Sequence, residues 1–200
     1  MFRSILALLA LLAVPAAAQQ AAPVPAPQGP RVAITTADGP IVVALDAEHA
    51  PISTANFLRY VDAKRFDGIT FFRSMKLPWT AGIIQAGQRD PRKLYPPIAH
   101  EPTSATGLSH VEGVISMARR EPGTAQGDWS ITVGDMTGLD AKPGAPGDNA
   151  GYAVFGRVVE GMDVVKRIWS APTDPDAGEG AMKGQMLTPP VRILTVRRVP

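Results

Sequence analysis

Eight short runs rich in β-branched and aromatic residues, each closed by turn-forming residues, decide what this chain can fold into. They are RVAITT (31–36), IVVALD (41–46), ITFFRS (69–74), GIIQAG (82–87), GVISMAR (113–119), WSITVGD (129–135), YAVFGRV (152–158) and VRILTVRRV (191–199). The 20 prolines and 19 glycines fall mostly between such runs, where they supply turns. Only two stretches change period. In APISTANFLRYVDAKRF (50–66), Ile52, Ala55, Leu58 and Val61 recur at three- to four-residue spacing behind Pro51, a residue suited to a first helical turn. In EGMDVVKRIWS (160–170), Val164, Val165 and Ile168 share one side. There is no strand–helix–strand rhythm and no internal repeat. The expected fold is mostly β, with two helices: eight strands are enough to close a small antiparallel barrel whose interior is filled by side chains. A two-sheet sandwich is the competing architecture.

The first residues have a different character. MFRSILALLALLAVPAAAQQ carries Arg3, an apolar run from Ile5 to Val14, and the small residues Ala16, Ala17 and Ala18. That is the layout of a signal peptide over 1–18, and the run is too short to span a bilayer. Residues 19–30, QQAAPVPAPQGP, read as an extended, unpacked proline-rich linker. The working domain is expected over 31–200, in an exported protein, with the periplasm as its compartment and no membrane span after cleavage.

Composition narrows the chemistry. With no cysteine, neither a disulfide nor a thiol nucleophile is possible. A net charge of +2 without a basic stripe argues against nucleic acid as a partner. Arg119–Arg120 and Arg197–Arg198 read as solvated faces. His49, His100 and His110 lack metal-ligand spacing, so no metal and no cofactor are expected. No G-x-S-x-G elbow and no glycine-rich phosphate loop occur. A scattered Ser-His-Asp set stays open as a hydrolase reading. Otherwise the chemistry left is that done by binding alone.

Five blocks then add up. APISTANFLRYV, FDGITFFR, IIQAG, GVISMAR and GYAVFGRVVEGMDVVKRI occur in the order and spacing of the cyclophilin-type peptidyl-prolyl isomerases. The chain resembles the bacterial exported members from about Arg31 to Ser170, and again in its final strand. The resemblance implies an eight-stranded barrel with two capping helices and rotation about X-Pro bonds of proline-containing polypeptides by a monomer. It implies Arg73, at the end of the FF strand, as the main catalytic residue, and Gln85 as a donor to the substrate backbone. Around them it implies Phe72, Ile83, Met117, Ala118, Leu139 and Tyr152 as substrate-binding residues.

The departures fall on the proline pocket. Where the family usually has Ser-Gln-Phe-Phe-Ile, this chain has GDWSI, so Asp128 stands for the glutamine and Ser130 for the pocket's aromatic floor. Strand alternation sends Ser130 to the pocket and Trp129 into the barrel. The segment from Arg73 to Gln85 is longer than usual by four residues. Gly82 stands where a pocket phenylalanine is expected, and Gly138 where an aromatic precedes Leu-Asp. Trp79, in the longer segment, is the expected substitute for the missing ring. Two functional readings follow: an isomerase, or a cyclophilin-fold peptide-binding or chaperone module with little turnover. The leader predicts a mature chain starting at or near Gln19. Mass spectrometry of the envelope-fraction protein checks this, and a retained Met1 there would contradict it.

Overall fold

The computed structural model describes residues 27–200. The leader expected over 1–18, and most of the linker, lie outside the described residues. The end of that linker is packed rather than free. The Leu45 N–H donates to the Pro30 carbonyl at 2.9 Å, and a side chain at Gly29 would collide with the Leu45 carbonyl.

The strands are β1 (Arg31–Thr36), β2 (Gly39–Leu45), β3 (Thr70–Leu77), β4 (Ala81–Gly87), β5 (Val114–Met117), β6 (Asp128–Val133), β7 (Ala153–Glu160), β8 (Thr173–Asp174) and β9 (Met186–Val199). The helices are α1 (Pro51–Asp62), α2 (Thr103–Thr106) and α3 (Met162–Ser170). Hydrogen-bonded neighbours run β1-β2-β7-β5-β6-β4-β3-β9, and β9 returns to β1. Eight antiparallel strands therefore close a barrel, and the two-residue β8 hangs on β9 outside the closure. Closure removes the unpaired edges that a sandwich would leave.

The interior follows from alternation. Trp129 and Ile131 of β6, Ile84 and Ala86 of β4, and Phe71 of β3 are fully buried. α1 closes one end of this core with Phe57 and Tyr60. Trp129 meets Phe57, Phe66 and Phe71 edge-on, with ring centroids 5.7, 6.1 and 5.4 Å away. α3 buries Val164, Val165 and Ile168, the stripe its sequence period picks out.

Helix α1 differs from its sequence pattern. Ile52 and Ala55 are exposed, and the buried face carries Phe57, Leu58, Tyr60 and Val61. The reason lies at its start. No side chain of α1's own N-cap satisfies the first turn. Glu101, arriving from a distant loop, instead accepts from the Ile52 and Ser53 N–H groups at 2.9 and 2.7 Å. A carboxylate there also suits the helix dipole. The first turn is thus held against a loop, with Ile52 turned to the outside and the small polar Ser53 and Thr54 buried, and the apolar core contacts come from the later turns. Arg197 and Arg198 are also more than solvated charges. Arg197 makes a two-point ion pair with Asp67, and Arg198 one with Asp62, tying β9 to α1 and the loop after it.

Trp129 sits at the centre of this aromatic packing. Trp129→Ala is expected to destabilise the fold by about 3–5 kcal/mol, read as a lowered denaturation midpoint with an unchanged slope. A loss under about 1 kcal/mol would place the load elsewhere in the core.

Candidate active site

The register of β3 creates the site. Phe71 pairs with Ala86, yet Arg73 pairs with Gln85, so Phe72 is an extra residue on β3. This is a β-bulge, and it changes which way the strand points. Without it, Arg73 would share the inward face of Phe71. With it, Arg73 joins Gln85 on the outer face, and Ser74 takes the inward place opposite Ile84.

Outward-facing residues then line up across four strands. Gln85 pairs with Ser130, and Ser130 with Ser116, giving the row Arg73–Gln85–Ser130–Ser116 over β3, β4, β6 and β5. The Ser116 and Ser130 hydroxyls lie 3.2 Å apart. On one side of this row Met75 faces Ile83. On the other, Gly87 pairs with Asp128, and a side chain at Gly87 would collide with the Asp128 carboxylate. Apolar, polar and charged rows thus follow one another along the same strands.

Together they form the wall of a cleft of 740 Å³. Of the residues singled out in the sequence, Arg73, Ile83, Gln85, Ala118, Asp128, Ser130, Leu139 and Tyr152 all line it. Three do not. Met117 is 2 % exposed and belongs to the main core, because β5 turns it inward beside Trp129. Phe72 sits at the bulge, outside the cleft, and supports it indirectly: Arg89 lies over its ring at 3.9 Å. Trp79 is 65 % exposed. The longer segment extends the β3–β4 ladder through Met75–Ile83, Lys76–Gly82 and Leu77–Ala81 and turns at Thr80, so Trp79 rides on the hairpin tip.

Gly82 is also no vacancy for an aromatic ring. The Trp169 indole of α3 donates to the Met75 carbonyl at 2.8 Å across it, and a Cβ at Gly82 would lie 2.6 Å from the indole nitrogen.

The electrostatics centre on Arg73. Its Nε donates to Gln185 Oε1 at 2.8 Å and its Nη1 to Gln85 Oε1 at 3.0 Å. Arg73 has no carboxylate partner among the described residues; two neutral amides hold it. Burial pushes its pKa below the ordinary guanidinium value, with nearby Tyr152 working the other way, and a guanidinium keeps its charge throughout. The cation is oriented but not neutralised, with donors left over. With its oxygen taken by Arg73, Gln85 has its amide N–H groups as the donors it can offer the cleft. Burial pushes the Asp128 carboxyl upward, opposed by Arg89.

Sequence reading missed Gln185, Met75 and Met182. Met75 and Met182 line the cleft. Gln185 comes from the irregular segment before β9. Its carbonyl accepts from the Ser74 N–H at 2.9 Å, and its side-chain N–H donates to Ala181 at 2.8 Å. Arg119, read as a solvated charge, has a side chain only 1 % exposed. It bonds the Gly151 carbonyl and pairs with Asp148, fixing the backbone beside Tyr152.

The histidines do not form a triad. Ser109 and His110 both bond to Asp140, and His110 Nε2 is buried without a partner. No histidine is hydrogen-bonded to a serine or threonine hydroxyl among the described residues. The hydrolase reading lacks the base-activated nucleophile it needs.

Residues 31–198 match the family model for cyclophilin type peptidyl-prolyl cis-trans isomerases. The chain belongs to the cyclophilin family. Peptidyl-prolyl cis-trans isomerase A of Dickeya dadantii is 35% identical over 72% of this chain and 73% of its own length. The Acinetobacter baylyi enzyme is 32% identical, covering 80% of each chain. Isomerase B of Escherichia coli is 31% identical over 71% of this chain and 85% of its own. The chain is accordingly an isomerase. The same fold appears in a Cryptosporidium parvum cyclophilin crystallised in the presence of the dipeptide Ala-Pro. Its TM-score is 0.67 at 20% identity, covering 85% of this chain and 99% of that one.

Gln185 reaches this cyclophilin's Arg73 through one hydrogen bond to a charged group, worth about 1.5–3 kcal/mol. Gln185→Leu is expected to lower kcat about tenfold or more on an X-Pro peptide, with a smaller change in KM. An unchanged kcat would mean that Gln85 alone orients the guanidinium.

Proposed function

We propose that this cyclophilin, as a monomer exported to the periplasm, accelerates X-Pro rotation in exported polypeptides by non-covalent stabilisation of the twisted peptide bond at Arg73. The observation that carries the reading is the Arg73 guanidinium in the cleft, oriented by two glutamine amides and paired with no carboxylate among the described residues.

The chemistry follows from the peptide bond itself. Lone-pair resonance between nitrogen and carbonyl sets a rotation barrier of about 18–20 kcal/mol, and uncatalysed X-Pro exchange takes roughly tens to hundreds of seconds. In the twisted state the prolyl nitrogen regains its lone pair and becomes an acceptor. A fixed guanidinium then gains a hydrogen bond that the planar ground state does not offer. That is preferential binding of the transition state, and each tenfold in rate needs only about 1.4 kcal/mol of it. No covalent intermediate and no proton transfer are required.

The remaining residues hold the peptide. Gln85 donates to a backbone carbonyl. Ile83, Met75 and Leu139 offer apolar surface to the proline ring. Tyr152 closes the wall, its N–H held by the Leu139 carbonyl at 3.1 Å. Ser130 supplies less apolar area than an aromatic would. It supports a second reading, in which the cleft binds proline-containing peptides with little turnover.

A coupled isomerisation assay on a short X-Pro peptide separates the two. Arg73→Ala is expected to lose at least about tenfold in turnover, the worth of a charge-assisted hydrogen bond, while folding normally by circular dichroism. Arg73→Lys restores only part, because an ammonium lacks the planar fork. Peptide binding without rate acceleration by the wild-type chain would favour the binding module.

A further inference from the structure

The charged row of the cleft is not used by the chemistry above. Among the described residues four arginines line the cleft, Arg73, Arg89, Arg119 and Arg120, against one carboxylate, Asp128. Most of these charges are already spoken for. Arg89 pairs with Asp128 at 3.2 Å, and Arg119 with Asp148 at 2.7 Å. Arg73 belongs to the prolyl nitrogen. Arg120 remains. It is exposed and makes no ion pair among the described residues. Its backbone is held by its own N–H, which donates to Thr124 Oγ1 at 3.1 Å. Glu121, next in the chain, is exposed and does not line the cleft.

The strands give the offset. Gly87–Asp128 lies two residues from Gln85–Ser130 along both β4 and β6, or about 7 Å at 3.3–3.4 Å per residue. Ala118, two positions before Arg120, bonds through its N–H to the Asp128 carbonyl at 2.9 Å. An extended peptide advances at the same pitch. A ligand with its prolyl nitrogen at the Arg73–Gln85 row, and its ring turned toward Ile83 and Leu139 on one side, brings a side chain about two residues away on the other side to this charged row.

We propose that Arg120 makes the cleft selective for peptides with an acidic residue about two positions from the isomerised proline. The inference rests on the cleft being the X-Pro site. A cleft with surplus charge of one sign concentrates ligands of the other. Asp128 does not cancel the effect, because Arg89 sits on it.

The test uses X-Pro peptides carrying Glu, Ala or Lys two residues before, or two residues after, the proline. Both kcat/KM and Kd are measured at low and high salt. Glu is expected to exceed Lys about fivefold at one of the two positions, the upper range for an exposed ion pair, and the ratio should shrink as salt screens it. Arg120→Glu should reverse the ratio. A Glu-to-Lys ratio near one at both positions, or a ratio unmoved by Arg120→Glu, overturns the proposal. If no peptide is turned over, the catalytic reading falls, and the Kd ratios still decide this one.

Discussion

A closed ladder leaves little choice about which way a side chain points. In this barrel each strand is paired on both sides, so a residue faces either the core or the outside. One irregularity in that rule makes the site. The extra residue at Phe72 shifts β3 by one place, and the arginine that follows leaves the core face for the outer one. The core supports the shift from within: Phe71, just before the bulge, packs edge-on against Trp129 at 5.4 Å. The apolar strand can end in a cation because the bulge turns that cation out of the core.

Much of this was legible from local pattern. Seven of the eight barrel strands, α1 and α3 stand within a few residues of where β-type runs and helical spacing put them, and β9 starts earlier than its run, at Met186. Alternation in GDWSI correctly separated Trp129 from Ser130, since it needs no knowledge beyond the strand itself. What escaped depends on distant partners. Gln185 carries no signal in a glycine-rich irregular segment; only the pairing of β3 with β9 brings it to Arg73. Met117 was misplaced because β5's facing depends on its register with β6. Trp79 was misplaced because an insertion can lengthen a hairpin or fill a pocket, and composition alone does not distinguish the two. The exposed Ile52 of α1 belongs to the same class, since the cap that orients that helix comes from Glu101.

The electrostatic arrangement explains why an arginine suits this position. A carboxylate partner would orient it equally well, but it would weaken the donors by neutralising them. Two amide oxygens fix the plane of the guanidinium while keeping its charge. The desolvation this entails is visible in the lowered pKa of Arg73, and it strengthens any new hydrogen bond made in the cleft. The wall is tied down by hydrogen bonds as well: the Arg119 side chain donates to the Gly151 carbonyl, and the Tyr152 N–H to that of Leu139.

Catalysis by a permanent cation, without a base or nucleophile, has a direct signature in pH. Burial holds the His110 pKa below its ordinary value, and His49, raised by Asp46, lies outside the cleft. Asp128, though raised from the usual carboxylate value, is the only carboxylate lining the cleft among the described residues. The decisive measurement is the pH profile of kcat/KM on a neutral X-Pro peptide, followed by NMR exchange without a coupling protease. A flat profile is expected between about pH 6.5 and 9, since a guanidinium does not titrate there. A sigmoid or bell-shaped profile with an apparent pKa inside that window would show a proton-transfer group at work and contradict it.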